Sequence, residues 1–228
     1  MDKPLISVLM SLHKTNQFFN ESLDSILNQS YSNIELLIMK DGLKDKSAIQ
    51  TLDNISNKDL RVKVFENKKN LGLTKSLNIL LENSNSTIIA RHDLDDISDH
   101  FRLEKQIKYL KKNNLDACFT YASSLQNGKI LHKRTQFIPL PILLKIKNPF
   151  VHGTMLIEKD ALESVGGYNE NFKYAQDYKL YLDLTRNGKK LQLLKETLYK
   201  LNMENNISTN FKNEQAEYAK LAKKNKEF

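Results

Sequence analysis

The sequence predicts an α/β fold built on a doubly wound, mostly parallel sheet with helices on both faces. Over the first hundred residues, short apolar runs alternate with segments that carry apolar residues at helical spacing. Polar and acidic residues follow several of these runs, at the points where the strands end. Because this alternation gives parallel strands joined by right-handed helical crossovers, we expect those ends to meet at one edge of the sheet.

The first half of the chain has the clearest pattern. Apolar runs rich in strand-forming residues predict strands at residues 5–10, 34–39, 62–65 and 87–90. Apolar residues three or four positions apart predict helices between them, at residues 19–28, 48–55 and 73–81. The turn signal Lys40-Asp41-Gly42 ends the second strand. The expected order is therefore a strand and a helix in alternation, closing on a fourth strand.

The second half is expected to be less regular. A helix is predicted at residues 101–113 and a strand at 117–121, followed by a hairpin turn at Asn127-Gly128. The other predicted elements are a short helix or irregular cover at residues 138–148, a strand at 154–157, helices at 159–165 and 178–187, and two short strands at 191–194 and 198–201. Residues 213–228 form a polar, basic tail that we expect to be a solvated helix.

Composition favours a water-soluble protein with an anionic partner. The 228 residues carry a formal net charge of +8 and a pI near 9.3. This charge favours a phosphorylated substrate, an anionic membrane surface or a nucleic acid. The single cysteine, Cys118, excludes an intrachain disulfide, and the sequence has neither a run of about 20 apolar residues nor a signal peptide. We therefore expect a cytoplasmic protein.

Three carboxylates, Asp93, Asp95 and Asp96, follow the fourth predicted strand directly. Open α/β sheets bind their ligands at the carboxyl ends of strands. Carboxylates this close repel one another, so they need a hard cation or several hydrogen-bond donors to stay ionised together. A divalent metal that binds a substrate diphosphate would meet that need. The alternative is that the three residues form Asx turns and cap the next helix.

Ten short motifs, in their order and spacing along residues 5–205, resemble the family-2 glycosyltransferases with the GT-A fold. They lie at residues 6–10, 25–31, 40–42, 70–73, 76–78, 90–98, 102–106, 152–154, 166–168 and 176–178. The resemblance is strongest to the bacterial branch that makes capsule, exopolysaccharide and lipopolysaccharide. It implies a Rossmann-like GT-A domain at residues 1–212, with a nucleotide-binding half at 1–116, a smaller acceptor half at 117–212 and the tail beyond.

The resemblance also implies an activity, which is the metal-dependent, inverting transfer of a sugar from a UDP-sugar to a glycan or lipid-linked acceptor. The nucleotide's uridine would bind at Ser11, His13 and Asp41. Asp95 would bind Mn²⁺ or Mg²⁺, and Asp93 would contact the ribose or a metal-bound water. Peripheral contact of the basic tail with an anionic inner membrane is a further expectation, because lipid-linked acceptors reside there.

The remaining expected site residues divide between donor and acceptor. Arg91 would assist the phosphates or orient the carboxylates. Asp177 would be the catalytic base that takes the proton of the acceptor hydroxyl; without the family, an ordinary helix N-cap would explain it equally well. His152 would lie near the acceptor, with a structural role as the alternative. Asn70, Gly72 and Asp96 complete the expected donor-binding set.

The chain departs from the family pattern in several places. Lys40 replaces an acid, and His13 stands where an aromatic residue that stacks on uracil is usual. Gln176 replaces the usual Glu before Asp177, and Tyr181 stands where Trp is common. These departures leave the donor sugar and the acceptor open.

Three other functions compete with a glycosyltransferase. A nucleotidyltransferase-like or nucleotide-sugar-binding protein would need a glycine-rich phosphate loop with a lysine, which residues 11–17 lack. A nucleic-acid binder would need basic residues interleaved with exposed aromatic residues, and no such signature is present. An inactive partner subunit would not be expected to keep Asp41, Asp93, Asp95 and Asp177.

Overall fold

The computed structural model describes residues 3–131, 138–204 and 211–225. In the first half of the chain, strands and helices alternate as predicted: β1 (Ile6–Leu12), α1 (Phe19–Leu27), β2 (Ile34–Asp41), α2 (Lys46–Lys58), β3 (Val62–Asn67), α3 (Leu73–Glu82) and β4 (Ile88–Arg91). The predicted strands and helices of this half are all confirmed, and most of them extend one to three residues further than expected.

The second half adds four strands, five α-helices and one 3₁₀ turn within the described ranges. They are β5 (Ile97–Ser98), α4 (Arg102–Lys112), β6 (Ala117–Ser124), α5 (Leu140–Ile146), a 3₁₀ turn (His152–Thr154), β7 (Leu156–Glu158), α6 (Lys159–Glu163), α7 (Gln176–Arg186), β8 (Leu191–Leu201) and α8 (Lys212–Lys224). The predicted Asn127-Gly128 turn is also confirmed, with Gly128 at φ +68° and the Ser124 amide bonded to the Lys129 carbonyl at 2.9 Å.

In the described part of the chain, the eight strands belong to one sheet, in the order β3-β2-β1-β4-β7-β6-β8-β5. The first four are mutually parallel, so their carboxyl ends lie at one edge; Leu9 pairs with Arg91, and Asp41 pairs with Asn67. The short β7 runs antiparallel to both β4 and β6 and joins the two halves of the sheet. β8 is parallel to β6, and β5 is antiparallel to β8. The predicted mostly parallel sheet is confirmed.

The two faces of the sheet carry separate apolar cores, because side chains alternate along each strand. Val8, Leu36 and Ile88 point to the core that α1, α2 and α4 cover. Their strand neighbours Leu9, Leu37 and Ile89 point to the other core, which α3 and α5 to α8 cover. Helices therefore lie on both faces, as the sequence predicts.

Two predictions about strands are wrong. The expected strands at residues 191–194 and 198–201 form one strand, β8, which stays paired with β6 through a register shift near Tyr121. The charged residues between the two expected strands, Lys195 and Glu196, lie exposed on this irregular stretch. The predicted strand at residues 154–157 begins only at Leu156, because Thr154 ends a 3₁₀ turn whose Thr154 amide bonds to the Val151 carbonyl.

The tail is a helix, as expected, but one of its faces packs against the domain. Ala222 of α8 is fully buried, and Leu221 packs against the same core. Arg186 of α7 donates to the carbonyls of Ala222 and Lys223, at 2.9 and 2.8 Å. No helix in the described ranges has the length and apolar content that crossing a membrane requires.

A buried carboxylate, Glu35, joins three segments at the edge of the sheet opposite the carboxyl ends. It accepts hydrogen bonds from the Ser7 hydroxyl at 2.5 Å, from the Asn85 amide and side chain at 2.6 and 2.9 Å, and from Lys63 at 2.9 Å. Burial opposes its ionisation, but these donors outweigh that effect and lower the pKa of Glu35. The ionised form therefore stabilises the junction of β1, β2 and the segment before β4.

We predict that Glu35→Gln lowers the free energy of unfolding at neutral pH by about 1–3 kcal/mol, because it removes a charged acceptor from buried donors. The folded pKa is depressed, so the Glu35 contribution is present above the unfolded pKa and is lost as pH falls through the folded value. Urea denaturation at neutral and at acidic pH measures this difference. An equal deficit of the variant at both pH values would contradict the ionic role.

Candidate active site

The carboxyl ends of β1, β2, β3 and β4 bring most of the expected donor-binding residues to one edge of the sheet. Ser11 is half-buried near the end of β1, and His13 is exposed just beyond it. Asp41 is the last residue of β2, and Arg91 is the last residue of β4. The predicted convergence follows from the parallel register of these strands.

Asp41 is buried and organises the loop after β3. Its Oδ1 accepts hydrogen bonds from the Asn67 side chain and the Leu71 amide, both at 2.8 Å, and its Oδ2 accepts one from the Gly72 amide at 2.9 Å. Asn70 is exposed, and its Oδ1 also accepts from the Gly72 amide, at 2.9 Å. A carboxylate has about four acceptor positions, so Oδ2 retains the capacity to accept a further donor.

Gly42, directly after Asp41, is required by the same loop. Its φ is +66°, and a Cβ there would lie 2.5 Å from the Asn70 amide nitrogen. The Gly42 amide donates to the Asn67 carbonyl at 3.1 Å. The motif Lys40-Asp41-Gly42 therefore holds residues 67–72 against the end of β2.

The acidic turn after β4 rests on Arg91, whose guanidinium is fully buried. Nη1 donates to the carbonyls of Leu9 and His92, both at 2.6 Å, and Nη2 forms an ion pair with Asp93. Burial opposes this positive charge, but Asp93 outweighs the effect, and the pKa of Arg91 is raised. The guanidinium therefore connects Asp93 to the backbone of β1 and of the turn.

The three carboxylates of the turn differ in exposure. The Asp93 side chain is 30% exposed and Asp95 is half-buried, whereas Asp96 is buried. Asp96 Oδ1 accepts from the Asn202 amide at 2.7 Å, and its buried Oδ2 has no donor among the described residues. Burial first, and then the neighbouring Asp93 charge, raise the pKa of Asp95 to about 6 and raise that of Asp96 well above its ordinary value.

This charge pattern suits a cation. Burial and the neighbouring negative charges disfavour the ionised forms of Asp95 and Asp96, and a divalent metal would offset both effects. The described residues contain no group of three or more His, Cys, Asp and Glu side chains placed to hold a metal ion. Mg²⁺ commonly takes only one or two protein carboxylates and completes its shell with water and substrate phosphates. Asp93 and Asp95 fit that kind of site.

Tyr199 and Asn202 support the turn from β8 and the residue beyond it, and the sequence analysis missed both. The Tyr199 hydroxyl accepts from the Asp93 amide at 3.1 Å. Besides its bond to Asp96, Asn202 donates from its side chain to Asp95 Oδ2 at 3.4 Å. Both residues lie more than a hundred positions from the turn, so no local motif indicated the contact.

Arg102 and Gln106 of α4 are family-motif residues that act below the turn. Arg102 Nη1 donates to the Gly153 carbonyl at 2.7 Å and the Arg91 carbonyl at 3.1 Å, and its guanidinium lies 5.3 Å from the Tyr199 ring centre. Burial lowers the pKa of Arg102 to about 10. Gln106 donates to the Thr154 carbonyl at 2.8 Å. These two side chains fix the 3₁₀ turn beneath the carboxylates.

His92, inside the turn, is buried between two hydroxyls. Its Nε2 lies 3.0 Å from Ser22 Oγ, and its Nδ1 lies 3.1 Å from Ser98 Oγ. Burial, with the charges of Arg102 and Arg91, lowers the pKa of His92 well below its ordinary value. A neutral His92 therefore connects the turn to α1 and β5.

Asp177 lies in the first turn of α7. Its Oδ2 accepts from the Asn148 side chain at 2.7 Å, and its Oδ1 accepts from the Tyr178 amide at 2.8 Å. Ala175 occupies the N-cap position with φ +51°, and no side chain caps the helix, so Asp177 does not act as an ordinary N-cap. Burial raises the pKa of Asp177, and the Asp93 charge adds to the shift, so the two carboxylates lie within electrostatic range.

His152 connects the same region to Tyr168. Its Nε2 lies 2.8 Å from the Tyr168 hydroxyl, and burial, with the charge of Arg91, lowers the pKa of His152 to about 3. The Tyr168 backbone is held in turn by Asn78, which accepts from the Tyr168 amide at 2.9 Å and donates to its carbonyl at 2.8 Å. His152 is therefore neutral and fixed beside the candidate site.

Comparison with known proteins identifies the family of this chain. Residues 7–166 match the family model described as "Glycosyl transferase family 2". The chain belongs to this family. The O-antigen biosynthesis glycosyltransferase WbnJ of Escherichia coli is 34% identical over 182 residues, which cover 78% of this chain and 70% of WbnJ.

Two solved glycosyltransferase structures share the fold of this family 2 chain. S. aureus TarS in complex with UDP aligns with a TM-score of 0.74 and 17% identity, over 95% of this chain and 64% of the TarS chain. The mannosyltransferase PcManGT of Pyrobaculum calidifontis, in complex with GDP-Man and Mn²⁺, aligns with a TM-score of 0.72 and 17% identity, over 95% of this chain and 62% of that chain. The chain thus spans less than two thirds of both, and at this identity the likeness establishes the GT-A fold.

We predict that Gly153→Ala damages the candidate site from below. A Cβ on Gly153 would overlap the Tyr199 hydroxyl, which holds the Asp93 amide. Because overpacking of a buried site costs about 1–3 kcal/mol, thermal unfolding should move to lower temperature. A Gly153→Ala protein as stable as wild type would contradict the close packing.

Proposed function

We propose that this family 2 chain transfers a sugar from a UDP-sugar to a glycan or lipid-linked acceptor in bacterial surface polysaccharide synthesis. The acidic turn carries the proposal, because Asp93 and Asp95 lie accessible at the sheet edge, with an ion pair and two buried arginines beneath them. The similarity to an O-antigen enzyme supports the pathway class, and the UDP complex of TarS supports the donor class.

The nucleotide would occupy the ends of β1 and β2. Ser11 and His13 would contact the uridine, and Asp41 Oδ2 would accept the imide N–H of uracil. The loop that Asp41 holds would place Asn70 and Gly72 beside the nucleotide. Buried Asp96 would act indirectly, by fixing the turn through Asn202, rather than by touching the donor.

Asp95 and Asp93 would hold Mn²⁺ or Mg²⁺ together with the diphosphate of the donor. The Mn²⁺ complex of PcManGT supports this expectation. The ion would stabilise the negative charge that develops on the departing nucleoside diphosphate. Arg91 would hold the Asp93 carboxylate oriented toward that position.

Asp177 would serve as the base in a single, inverting displacement. The acceptor oxygen would form its bond to the anomeric carbon as the bond from that carbon to the diphosphate oxygen breaks, and the hydroxyl proton would pass to Asp177. The raised pKa of Asp177 favours a base that accepts a proton readily. Neutral His152, fixed by Tyr168, would shape the acceptor side.

An inactive nucleotide-sugar-binding subunit is the second candidate. It would bind the nucleotide through the same residues and transfer nothing. The raised pKa of Asp177 favours an enzyme, since carboxylates with shifted pKa values cluster at catalytic sites.

Calorimetric titration of UDP, with and without Mn²⁺, tests the donor site. We expect metal-dependent binding that Asp95→Asn weakens at least about tenfold, because the substitution removes one metal ligand. Asp177→Asn is the matched control. It should bind UDP like wild type, lose transfer activity by at least about a hundredfold and unfold at no lower temperature, because its environment disfavours the charge.

Absence of UDP binding in both conditions would overturn the UDP-sugar assignment. Equal UDP binding by wild type and Asp95→Asn would contradict the proposal that Asp95 binds a metal needed for UDP binding. Transfer activity that survives in Asp177→Asn would exclude Asp177 as the base, whereas UDP binding without transfer by the wild type to any tested acceptor would favour the inactive subunit.

The pH dependence of transfer gives an independent prediction. Asn148 donates to Asp177 and counteracts the effect of burial on its pKa. Asn148→Leu should therefore raise the pKa of Asp177 further, and the acidic limb of the activity profile should move to higher pH. Measured rates across the acidic range, with Asn113→Leu on the surface of the protein as a control, check the shift. If Asn148→Leu left the acidic limb unchanged, the hydrogen bond from Asn148 to Asp177 would not set the pKa that limits transfer at acidic pH.

A further inference from the structure

Helix α5 presents an apolar pair to solvent beside the candidate acceptor side. Ile142 is 53% exposed and Ile146 is 57% exposed. Residues four apart lie on one face of a helix, so the two side chains form a single patch. The opposite face of α5 is anchored, because Leu143 and Leu144 are buried in the core. The isoleucines are therefore held outward on a fixed helix.

Lysines surround this pair. Lys145 and Lys147 of the α5 segment are exposed, and so are Lys223 and Lys224 at the end of α8. The Lys223 ammonium donates to the Ile146 carbonyl at 2.6 Å, which brings the end of α8 against the end of α5. In the described part of the chain, none of these four lysines forms an ion pair with a carboxylate.

Nearby acidic residues do not neutralise the surface. Glu217 of α8 precedes Lys223 by about 9 Å along the helix axis, at about 1.5 Å per residue. Asp183 of α7 is engaged by Lys179 at 2.6 Å and Arg186 at 3.2 Å. The surface that Ile142, Ile146 and the four lysines form, here called the α5–α8 surface, therefore combines apolar side chains with positive charge.

We propose that the α5–α8 surface docks on an anionic lipid bilayer. The lysines would interact with lipid phosphates, and the two isoleucines would enter the boundary between headgroups and acyl chains. Exposed isoleucines distinguish this surface from one that binds nucleic acid, where aromatic residues stack on bases. The positive charge of the four lysines complements the negative charge of anionic lipids, so we assign the surface to a lipid bilayer.

The position of the surface relates it to the candidate site. Two residues after Ile146, the Asn148 side chain holds Asp177 at 2.7 Å. A bilayer under α5 would therefore lie beside the carboxylate proposed as the base. Docking does not require the proposed transfer reaction, but it would bring the site to lipid-linked acceptors. Membrane contact would thus involve α5 as well as the basic tail, to which the sequence analysis assigned it.

Co-sedimentation with vesicles tests the docking, using phosphatidylcholine alone and phosphatidylcholine mixed with phosphatidylglycerol. We expect wild type to bind the mixed vesicles and not the neutral ones, and to be released by high salt. Ile142→Ser/Ile146→Ser and Lys145→Glu/Lys147→Glu should each weaken binding at least about tenfold.

The controls are Leu60→Ser, at a leucine that is 94% exposed elsewhere, and Lys58→Glu/Lys112→Glu, which changes the net charge equally.

Three results of the vesicle experiment would overturn the proposal. The first is that wild type does not bind the mixed vesicles. The second is that Lys58→Glu/Lys112→Glu weakens vesicle binding as much as Lys145→Glu/Lys147→Glu does. The third is that Ile142→Ser/Ile146→Ser binds the mixed vesicles as well as wild type. Light scattering that finds a wild-type dimer and a monomeric Ile142→Ser/Ile146→Ser variant would also overturn it, by assigning the surface to a second copy of the chain.

Calorimetry with UDP in the absence of vesicles separates this proposal from the proposed function. All the surface variants should bind UDP like wild type, because none of their substitutions lies at the carboxyl edge of the parallel strands. If no form of the protein bound UDP, the donor assignment would fail while the vesicle results stood.

Discussion

The ion pair between Arg91 and Asp93 is the interaction on which the candidate site depends. A fully buried guanidinium is costly unless its charge and its donors are satisfied. Asp93 supplies the charge, and the carbonyls of Leu9 and His92 supply two acceptors. Because Leu9 belongs to β1 and Arg91 ends β4, the pair also fixes the turn to the centre of the sheet. Loss of Asp93 would leave the buried charge of Arg91 uncompensated.

A second layer keeps this pair in place. Tyr199 contacts the turn from above Gly153, and Arg102 lies against the Tyr199 ring while holding the Gly153 and Arg91 carbonyls. The turn is therefore supported by α4, β8 and the 3₁₀ turn at once. Such support holds the three carboxylates close together, with Asp93 and Asp95 partly exposed and Asp96 buried. The acidic turn is held in place by packing and hydrogen bonds within the protein, and these do not depend on a bound nucleotide-sugar.

The sequence predicts the elements whose signals are local. Alternating apolar runs predicted β1 to β4 and the helices between them, because each run is short and each helix shows regular apolar spacing. The family motifs likewise indicated Asp41, the acidic turn and Asp177, which the structure brings to the sheet edge or within electrostatic range of it. The long β8 was missed because the charged Lys195-Glu196 lies exposed on a strand that continues through an irregular register.

Contacts between distant residues could not be predicted in this way. Tyr199 and Asn202 meet the turn only because β8 lies next to β6 and β5 in the folded sheet. The burial of Asp96, and the pairing of Asn148 with Asp177, likewise depend on tertiary packing that has no periodic signal in one sequence. Glycosyl transferase family 2 membership narrows the chemistry, but the sugar depends on contacts finer than these motifs.

A crystal structure with UDP and Mn²⁺, with the metal located by its anomalous signal, tests the central account most directly. The account predicts one Mn²⁺ within coordination distance of Asp95 or Asp93 and of a diphosphate oxygen, with uracil at the ends of β1 and β2 beside Asp41. The support from Arg91, Tyr199 and Asn202 should be unchanged. UDP bound away from this edge, or Mn²⁺ bound without contact to either carboxylate, would contradict it.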